Sequence, residues 1–285
     1  MKPPPFHYAR PEHLNGVLRL LAEHDGGARV LAGGQSLVPL LNFRLARPEV
    51  LVDIAMVDEL SRLTIEDGGL RIGASVTQRA VETSAEVARR CPLLSKALPL
   101  VGHLQNRARG TVVGSIAHAD PSAELPAVAL VLGATMAVRS ASGCRSIPAG
   151  DFFLGPFTTA LEPDEILVEV RFPVDVSART AVKEIAPRSG DFAIAGVAGR
   201  LTTAADGAVR DVALALFGVG AVPQRLPEVE RLAAGENVTP ELLDEVARVT
   251  RATARSGSED VHADPAYRAR VAGELVRRVL EEMAA

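Results

Sequence analysis

Two short turns, Ala32-Gly33-Gly34-Gln35-Ser36-Leu37 and Arg109-Gly110-Thr111-Val112-Val113-Gly114-Ser115, constrain this chain more than any other feature. The first joins an apolar run, Arg29–Ala32, that reads as a strand to a segment through Leu41 that reads as a helix capped by Ser36. Glycines at such a junction can take positive φ and let bare backbone approach a ligand closely. Successive N–H groups at a helix start form an anion nest, and Ser36 adds a hydroxyl. The second turn repeats this chemistry, so the pair could hold a pyrophosphate from both sides. Each turn alone says little, because most Gly-Gly turns only reverse the chain. Neither fits Gly-x-Gly-x-x-Gly or the P-loop pattern, which disfavours a Rossmann site and an NTPase.

Around the first turn, Leu14, Val17, Leu18 and Leu21 repeat with a helical period, predicting a helix over Pro11–His24. Val50–Ile54 reads as the next strand, closing a compact α/β unit. Further on, Leu70–Ala74 reads as a strand, Thr77 as the N-cap of a helix to Ser84, and Pro92–Gly102 as another helix. Gln105–Glu124 reads as a polar, glycine-rich stretch before an apolar helix, Leu125–Leu132. Strands are expected at Thr135–Arg139 and Ile166–Phe172. Asp175–Ala178 is the best linker. Beyond it come three strands (Thr180–Ala186, Ala193–Leu201, Arg210–Val219) and three helices (Pro227–Ala234, Pro240–Ala254, Pro265–Met283). At 285 residues the chain exceeds the usual single-core size. The expected division is therefore 1–176, itself split into about 1–56 and 57–176, followed by 177–285, a small α+β domain.

Composition removes several function classes. The net charge is −4 with no basic stripe, so nucleic acid is not an expected partner. No apolar run approaches the roughly 18 residues of a membrane span, and the start lacks the apolar region of a signal peptide. The expected location is the cytoplasm. Cys91 and Cys144 are far apart and outside any Cys-x-x-Cys pattern, so they cannot hold an iron–sulfur cluster. The histidines form no metal-spaced pair. Redox chemistry in this chain would need an organic cofactor.

The two turns, read in context, resemble a known family. Ala-Gly-Gly-Gln-Ser-Leu followed by Pro39-Leu40-Leu41 resembles the first FAD loop of the medium (flavoprotein) subunits of carbon monoxide dehydrogenase and xanthine dehydrogenase. The stretch from Val101-Gly102-His103 through Arg109–Ser115 to His118-Ala119-Asp120-Pro121-Ser122-Ala123-Glu124 resembles their second. Asp151–Gly155, Glu165–Leu167, Arg188–Ala193, Gly218–Pro223 and Tyr267-Arg268 follow in order, so the resemblance runs from about Phe6 to Leu280.

The resemblance implies an α+β chain. It would have a PCMH-type (vanillyl-alcohol oxidase-like) FAD domain of two α/β subdomains, and a C-terminal domain of a three-stranded antiparallel sheet and three helices. It places Ala32, Gly33, Gly34, Gln35, Ser36 and Leu37 with Gly110, Thr111, Gly114 and Ser115 on the pyrophosphate and ribityl chain. Val101 and His118 belong to the second loop, His118 orienting it rather than catalysing. Asp120 and Glu124 would reach cofactor hydroxyls, as carboxylates suit two-site acceptors. Leu167 and Lys183 would line the flavin, Lys183 stabilising its anionic reduced form; a solvated strand lysine is an equal alternative. Phe192 would cover the isoalloxazine.

One position departs from the family pattern: Val113 stands where the second loop usually has a glycine. Either it takes ordinary φ and points away from FAD, or binding is weakened, and the three remaining loop positions favour the former. No residue is placed for a covalent flavin bond, so the FAD is expected to be non-covalent. The implied partners are a large molybdopterin-binding subunit and a small subunit with [2Fe-2S] clusters, in a dimer of heterotrimers. No catalytic acid or base and no metal site is expected in this chain. Gln35, where carbon monoxide dehydrogenases tend to have His, leans toward an N-heterocycle or an aldehyde as the complex's substrate. A self-contained flavin oxidoreductase of the same fold (an alcohol oxidase or UDP-sugar reductase) is the alternative, and a scaffold that has lost FAD is a third reading.

Overall fold

The computed structural model describes residues 2–66, 68–254 and 260–285. Leu14, Val17, Leu18 and Leu21 form the buried face of the helix Leu14–Glu23, as their spacing predicts. It lies beside a three-stranded sheet with Val50–Asp53 in the centre, flanked by His7–Ala9 and Ala28–Leu31. All three strands are parallel, so the turns that leave their carboxyl ends share one edge. Open α/β sheets bind ligands at that edge. The strand His7–Ala9 was not expected, since three residues with no buried member carry no readable period.

The second unit is built on a five-stranded antiparallel sheet. Its order is Leu63–Glu66, Gly69–Gly73, Ile166–Pro173, Thr135–Ser140, Gly143–Pro148. The three inner strands match the expectation. The two outer ones bury few side chains and so lack the apolar alternation that would reveal them. The stretch 105–124, read only as polar and glycine-rich, holds most of two short helices, Leu104–Arg109 and Val112–His118. Each is started by a side-chain cap rather than by an apolar stripe. The predicted helix from Pro92 ends as Pro92–Ala97 followed by a 3-10 turn, Leu98–Leu100. Pro99 has no N–H to continue the α-helical ladder.

The third unit is an antiparallel sheet of Arg179–Ile185, Ala195–Thr203 and Val209–Phe217. A two-residue fourth strand, Gln224–Arg225, extends the three-stranded sheet that was expected. Strand alternation gives this sheet two apolar faces. Val197, Leu201, Val212, Leu214 and Leu216 pack on the helices Pro227–Ala233, Pro240–Thr253 and Pro265–Ala284. Ala198, Ala213, Ala215 and Phe217 join the larger core instead, where the helix Glu124–Leu132 lies against them. That helix is buried nearly all round, which explains its almost unbroken apolar sequence. Its last carbonyls take guanidinium donors from the C-terminal sheet: Arg200 to Val131 at 3.1 Å and Arg225 to Leu130 at 3.4 Å.

One part-buried ion pair holds the loop that leads into the second turn. Arg107 donates to both carboxylate oxygens of Glu82 at 3.1 Å, and to the carbonyls of Val101 and Gly102 at 3.1 and 3.0 Å. Arg79 reaches the same Glu82 from a more exposed position. Breaking a fully buried pair costs roughly 3–5 kcal/mol and an exposed pair contributes about 0–1 kcal/mol; this part-buried pair, whose Glu82 keeps Arg79, falls between them. Arg107→Met is therefore expected to lower the thermal unfolding temperature by several degrees, and Arg79→Met to change it little. Thermal unfolding followed by circular dichroism checks this, and equal losses would contradict it.

Candidate functional site

The first turn leaves the strand Ala28–Leu31 at the carboxyl edge of the parallel sheet. Gly34 has φ +73°, and a Cβ there would meet Val38 and Leu31 side chains at 3.2 and 3.3 Å. Gly33 has no room at all: a Cβ would lie 2.2 Å from the Arg109 carbonyl oxygen and 2.5 Å from Gly110 Cα. The two turns thus touch backbone to backbone. The N–H groups of residues 33–37 meet no acceptor among the described residues. Ser36 stands at the N-cap of the helix Leu37–Asn42, but its hydroxyl accepts no capping bond. The expected cap is thus positional only, and the hydroxyl is left for a ligand.

The second turn is held from behind. The Gln78 N–H donates to the Gly110 carbonyl at 2.8 Å, Val112 N–H to Val76 at 3.3 Å, and the buried Gln78 amide to Thr111 at 3.4 Å. Thr111 Oγ1 accepts the Gly114 N–H at 2.9 Å and caps the helix Val112–His118. A Cβ on Gly114 would fall 2.6 Å from that oxygen, so glycine is required there for contact rather than for φ. Val113 takes ordinary φ and is 2% exposed in the larger core. It therefore points away from the turns. The N–H groups of Thr111 and Val113 meet no protein acceptor among the described residues. The paired turns offer many N–H donors, two serine hydroxyls (Ser36, Ser115) and no carboxylate, a donor set that fits the pyrophosphate of FAD.

The remaining expected residues fall into two groups. Val101 is half-buried and gives its carbonyl to Arg107. His118 packs on the Phe157 ring at 5.1 Å, and burial holds its pKa below the usual histidine value. Asp120 Oδ1 accepts the Ser122 N–H at 2.9 Å, tightening the turn before the helix Glu124–Leu132. Glu124 opens that helix at 5% exposure, and burial pushes its pKa up to about 8. Burial thus favours its protonated, hydrogen-bond-donating form, whereas the sequence suggested a two-site acceptor. Phe192 is 68% exposed at the tip of the Arg188–Phe192 loop. Gly190 in this loop has φ +87° and lies against the His103 ring, where a Cβ would be 2.5 Å away. The C-terminal unit thus reaches the loop that precedes the second turn.

The side chains of Leu167 and Lys183 both have partners within the protein. Leu167 is buried in the larger core. Lys183 pairs with Glu282 on the last helix at 2.5 Å. Strand alternation is the reason, because Ala181 and Lys183 share the helix-facing side while Val182 and Glu184 face the larger unit. Glu184 is the residue the sequence reading missed. Burial pushes its pKa up to about 7, it raises that of Glu124 in turn, and its Oε2 is buried without a partner. The apolar Ala181 two positions before Lys183 was the available signal. Asn106 was missed as well. Its side chain bridges the helix cap at His103 and the first turn at Gln35.

The raised carboxyl of Glu124 ties stability to pH. Unfolded glutamic acid ionises near its ordinary value of 4.5, whereas folded Glu124 holds its proton to about 8. Between those values the unfolded state loses the proton first, so stability falls as pH rises and levels off above about 8. Glu124→Gln in the flavin-free chain is expected to flatten this slope, with its largest gain in unfolding temperature near pH 8. Parallel slopes for parent and variant between pH 5 and 8 would contradict it.

Comparison with known proteins places the whole chain. Residues 4–175 match the family model for the FAD binding domain in molybdopterin dehydrogenase, and 180–283 that for the CO dehydrogenase flavoprotein C-terminal domain. The chain is 37% identical over 285 residues to the nicotine 6-hydroxylase medium subunit of Paenarthrobacter nicotinovorans, covering 100% of this chain and 99% of the relative. It is 33% identical over 281 residues to the carbon monoxide dehydrogenase medium chain of Hydrogenophaga pseudoflava, covering 98% and 97%. Among solved structures, quinoline 2-oxidoreductase from Pseudomonas putida 86 superposes with a TM-score of 0.95 at 36% identity, covering 100% of this chain and 98% of that one. Carbon monoxide dehydrogenase from Hydrogenophaga pseudoflava gives 0.96 at 33% identity, covering 99% and 98%. The chain belongs to the family of FAD-binding medium subunits of the molybdenum hydroxylases.

Proposed function

We propose that this chain holds one FAD, without a covalent bond, across its two glycine turns and serves as the electron outlet of a molybdenum hydroxylase. The observation that carries the reading is the seated pair of turns. Gly33 rests on Arg109 and Gly110, and both turns keep N–H groups without a protein acceptor among the described residues. Bound FAD supplies a carrier that accepts electrons singly and releases them as a pair. The chain's own residues bind, orient and shield it. N–H groups of residues 33–37 and of Thr111 and Val113 take the pyrophosphate, with Ser36 and Ser115 adding hydroxyl donors. Phe192 and its loop cover the ring from the C-terminal unit. Asp120 accepts a cofactor hydroxyl with its second oxygen, while Glu124 donates to an acceptor. Glu184, rather than Lys183, is the charged residue of its strand that faces the cofactor.

The partners proposed are a large molybdopterin-binding subunit, which hydroxylates the substrate, and a small subunit whose [2Fe-2S] clusters deliver electrons to this chain. The assembly proposed is a cytoplasmic dimer of heterotrimers. No helix among the described residues is long and apolar enough to cross a membrane. The domain boundary is placed between residues 176 and 177, in the stretch where Ser177 N–H closes on Asp175 at 2.9 Å. Gln35 and the names of the nicotine and quinoline enzymes support an N-heterocycle as the complex's substrate. A self-contained flavin oxidoreductase is disfavoured, since the relatives matched over their full length are medium subunits.

Acid precipitation of the purified chain is expected to release about one FAD per chain into the supernatant; flavin in the pellet would contradict the non-covalent link. Gly34→Val should lose most of its flavin. Gly69→Ala should keep it, because a Cβ there meets nothing closer than 3.6 Å. Flavin-to-protein ratios of the two folded variants decide this, and equal retention would make the first turn structural only. The chain alone is expected to pass electrons from a chemical reductant to an acceptor, yet to leave the complex's substrate unoxidised until both partners are added. Turnover by the isolated chain would sink the relay reading.

A further inference from the structure

A polar bridge crosses between the two turns, made by two side chains to which the donor set described above gives no role. Asn106, in the short helix leading into the second turn, donates from Nδ2 to Gln35 Oε1 at 3.1 Å. Gln35 in turn donates from Nε2 to the carbonyl of Gly33 at 3.1 Å. The other side of the Asn106 amide is also engaged: Oδ1 accepts the His103 N–H at 3.2 Å, closing a capping box. The Asn106 carbonyl takes the Gly110 N–H at 2.6 Å. Asn106 therefore touches the start of its own helix, the glycine of the second turn, and the side chain that grips the first.

The direction of these bonds decides their effect. A peptide flip at Gly33 would turn its carbonyl toward the ligand and its neighbour's N–H inward. Gln35 occupies that carbonyl and so opposes the flip, and Asn106 holds Gln35. With the Gly33 carbonyl occupied by Gln35, the N–H groups of residues 33–37 have no protein acceptor among the described residues. The segment before Asn106 is fixed by Arg107, which ties Glu82 to the carbonyls of Val101 and Gly102. The bridge thus has a rigid support on one side and a glycine-rich turn on the other.

We infer that Asn106 and Gln35 form a latch that pre-organises the phosphate-binding N–H groups of the first turn, making Asn106 a positioning residue for FAD. This rests on the proposed seat of the cofactor pyrophosphate at the two turns. Pre-organisation strengthens binding by removing the ordering cost at the moment the ligand arrives. A hydrogen bond of this kind shifts binding by roughly tenfold.

The test is a double-substitution cycle in the full-length chain, reading FAD affinity by titration of the flavin-free protein. Asn106→Asp keeps an acceptor for the His103 N–H but has no donor for Gln35 Oε1. It also adds a charge, which the Gln35→Ala background controls for because the charge is present there while the latch is not. The expected result is that Asn106→Asp raises the Kd about tenfold more in the parent than in the Gln35→Ala background. The exchanged pair, Gln35→Asn with Asn106→Gln, restores two amides across the gap and should recover part of the loss. Equal weakening in both backgrounds would reduce Asn106 to a charge or folding effect and overturn the latch. Undiminished affinity in all Asn106 variants, with Gly34→Val still losing FAD, would overturn it too. If Gly34→Val also bound FAD normally, the proposed seat would fail before the latch did.

Discussion

Gly33 and the Arg109–Gly110 peptide meet with no space for a side chain between them, and the rest of the site is arranged around that contact. A strand-to-helix turn at the edge of a parallel sheet and a second turn at the start of a distant helix become one surface because only hydrogen separates them. Neither turn could shift without opening the other. The bonds from Val76, Gln78 and Arg107 hold the second turn and its approach in place. The first is held by its own strand and by Gln35. What results is a row of N–H groups that the protein leaves unpaired, which is costly unless water or an anion satisfies them.

The C-terminal unit reaches this surface through the helix Glu124–Leu132. That helix is packed from the FAD-domain side and from the alanine-lined face of the C-terminal sheet. It carries Glu124 at its start and receives Arg200 and Arg225 at its end. Cationic donors there suit the negative end of the helix dipole. The shared helix packs on the strands Ala195–Thr203 and Val209–Phe217, and the first of these pairs with the strand that bears Glu184. The two raised carboxyls, Glu124 and Glu184, sit where the two units meet, and each keeps its proton further into the neutral range than a surface glutamate.

Much of this was legible in the residues, and the omissions have physical causes. The glycine turns stood out because φ and contact both forbid side chains at particular positions, Gly34 by its φ of +73° and Gly33 by its neighbour. The three inner strands of the five-stranded sheet and the three C-terminal helices showed their buried periods. The edge strands Leu63–Glu66 and Gly143–Pro148 did not, since a strand with mostly exposed side chains has no apolar alternation to read. The helices Leu104–Arg109 and Val112–His118 were hidden because caps, not stripes, start them. Lys183 was drawn to the site by resemblance alone. Strand alternation sends it to Glu282 and turns Glu184 inward instead. Asn106 carried no signal by composition, and only its bond across to Gln35 gives it a role.

The central claim is that the unpaired N–H groups of the two turns are the cofactor's seat, and amide hydrogen exchange measures those groups directly. Exchange should be compared for the flavin-free chain with and without FAD. The account predicts that protection rises most at residues 33–37 and at Thr111 and Val113, where the N–H groups meet no acceptor among the described residues. Protection confined to other segments, with these amides exchanging as fast in the presence of FAD as in its absence, would contradict it.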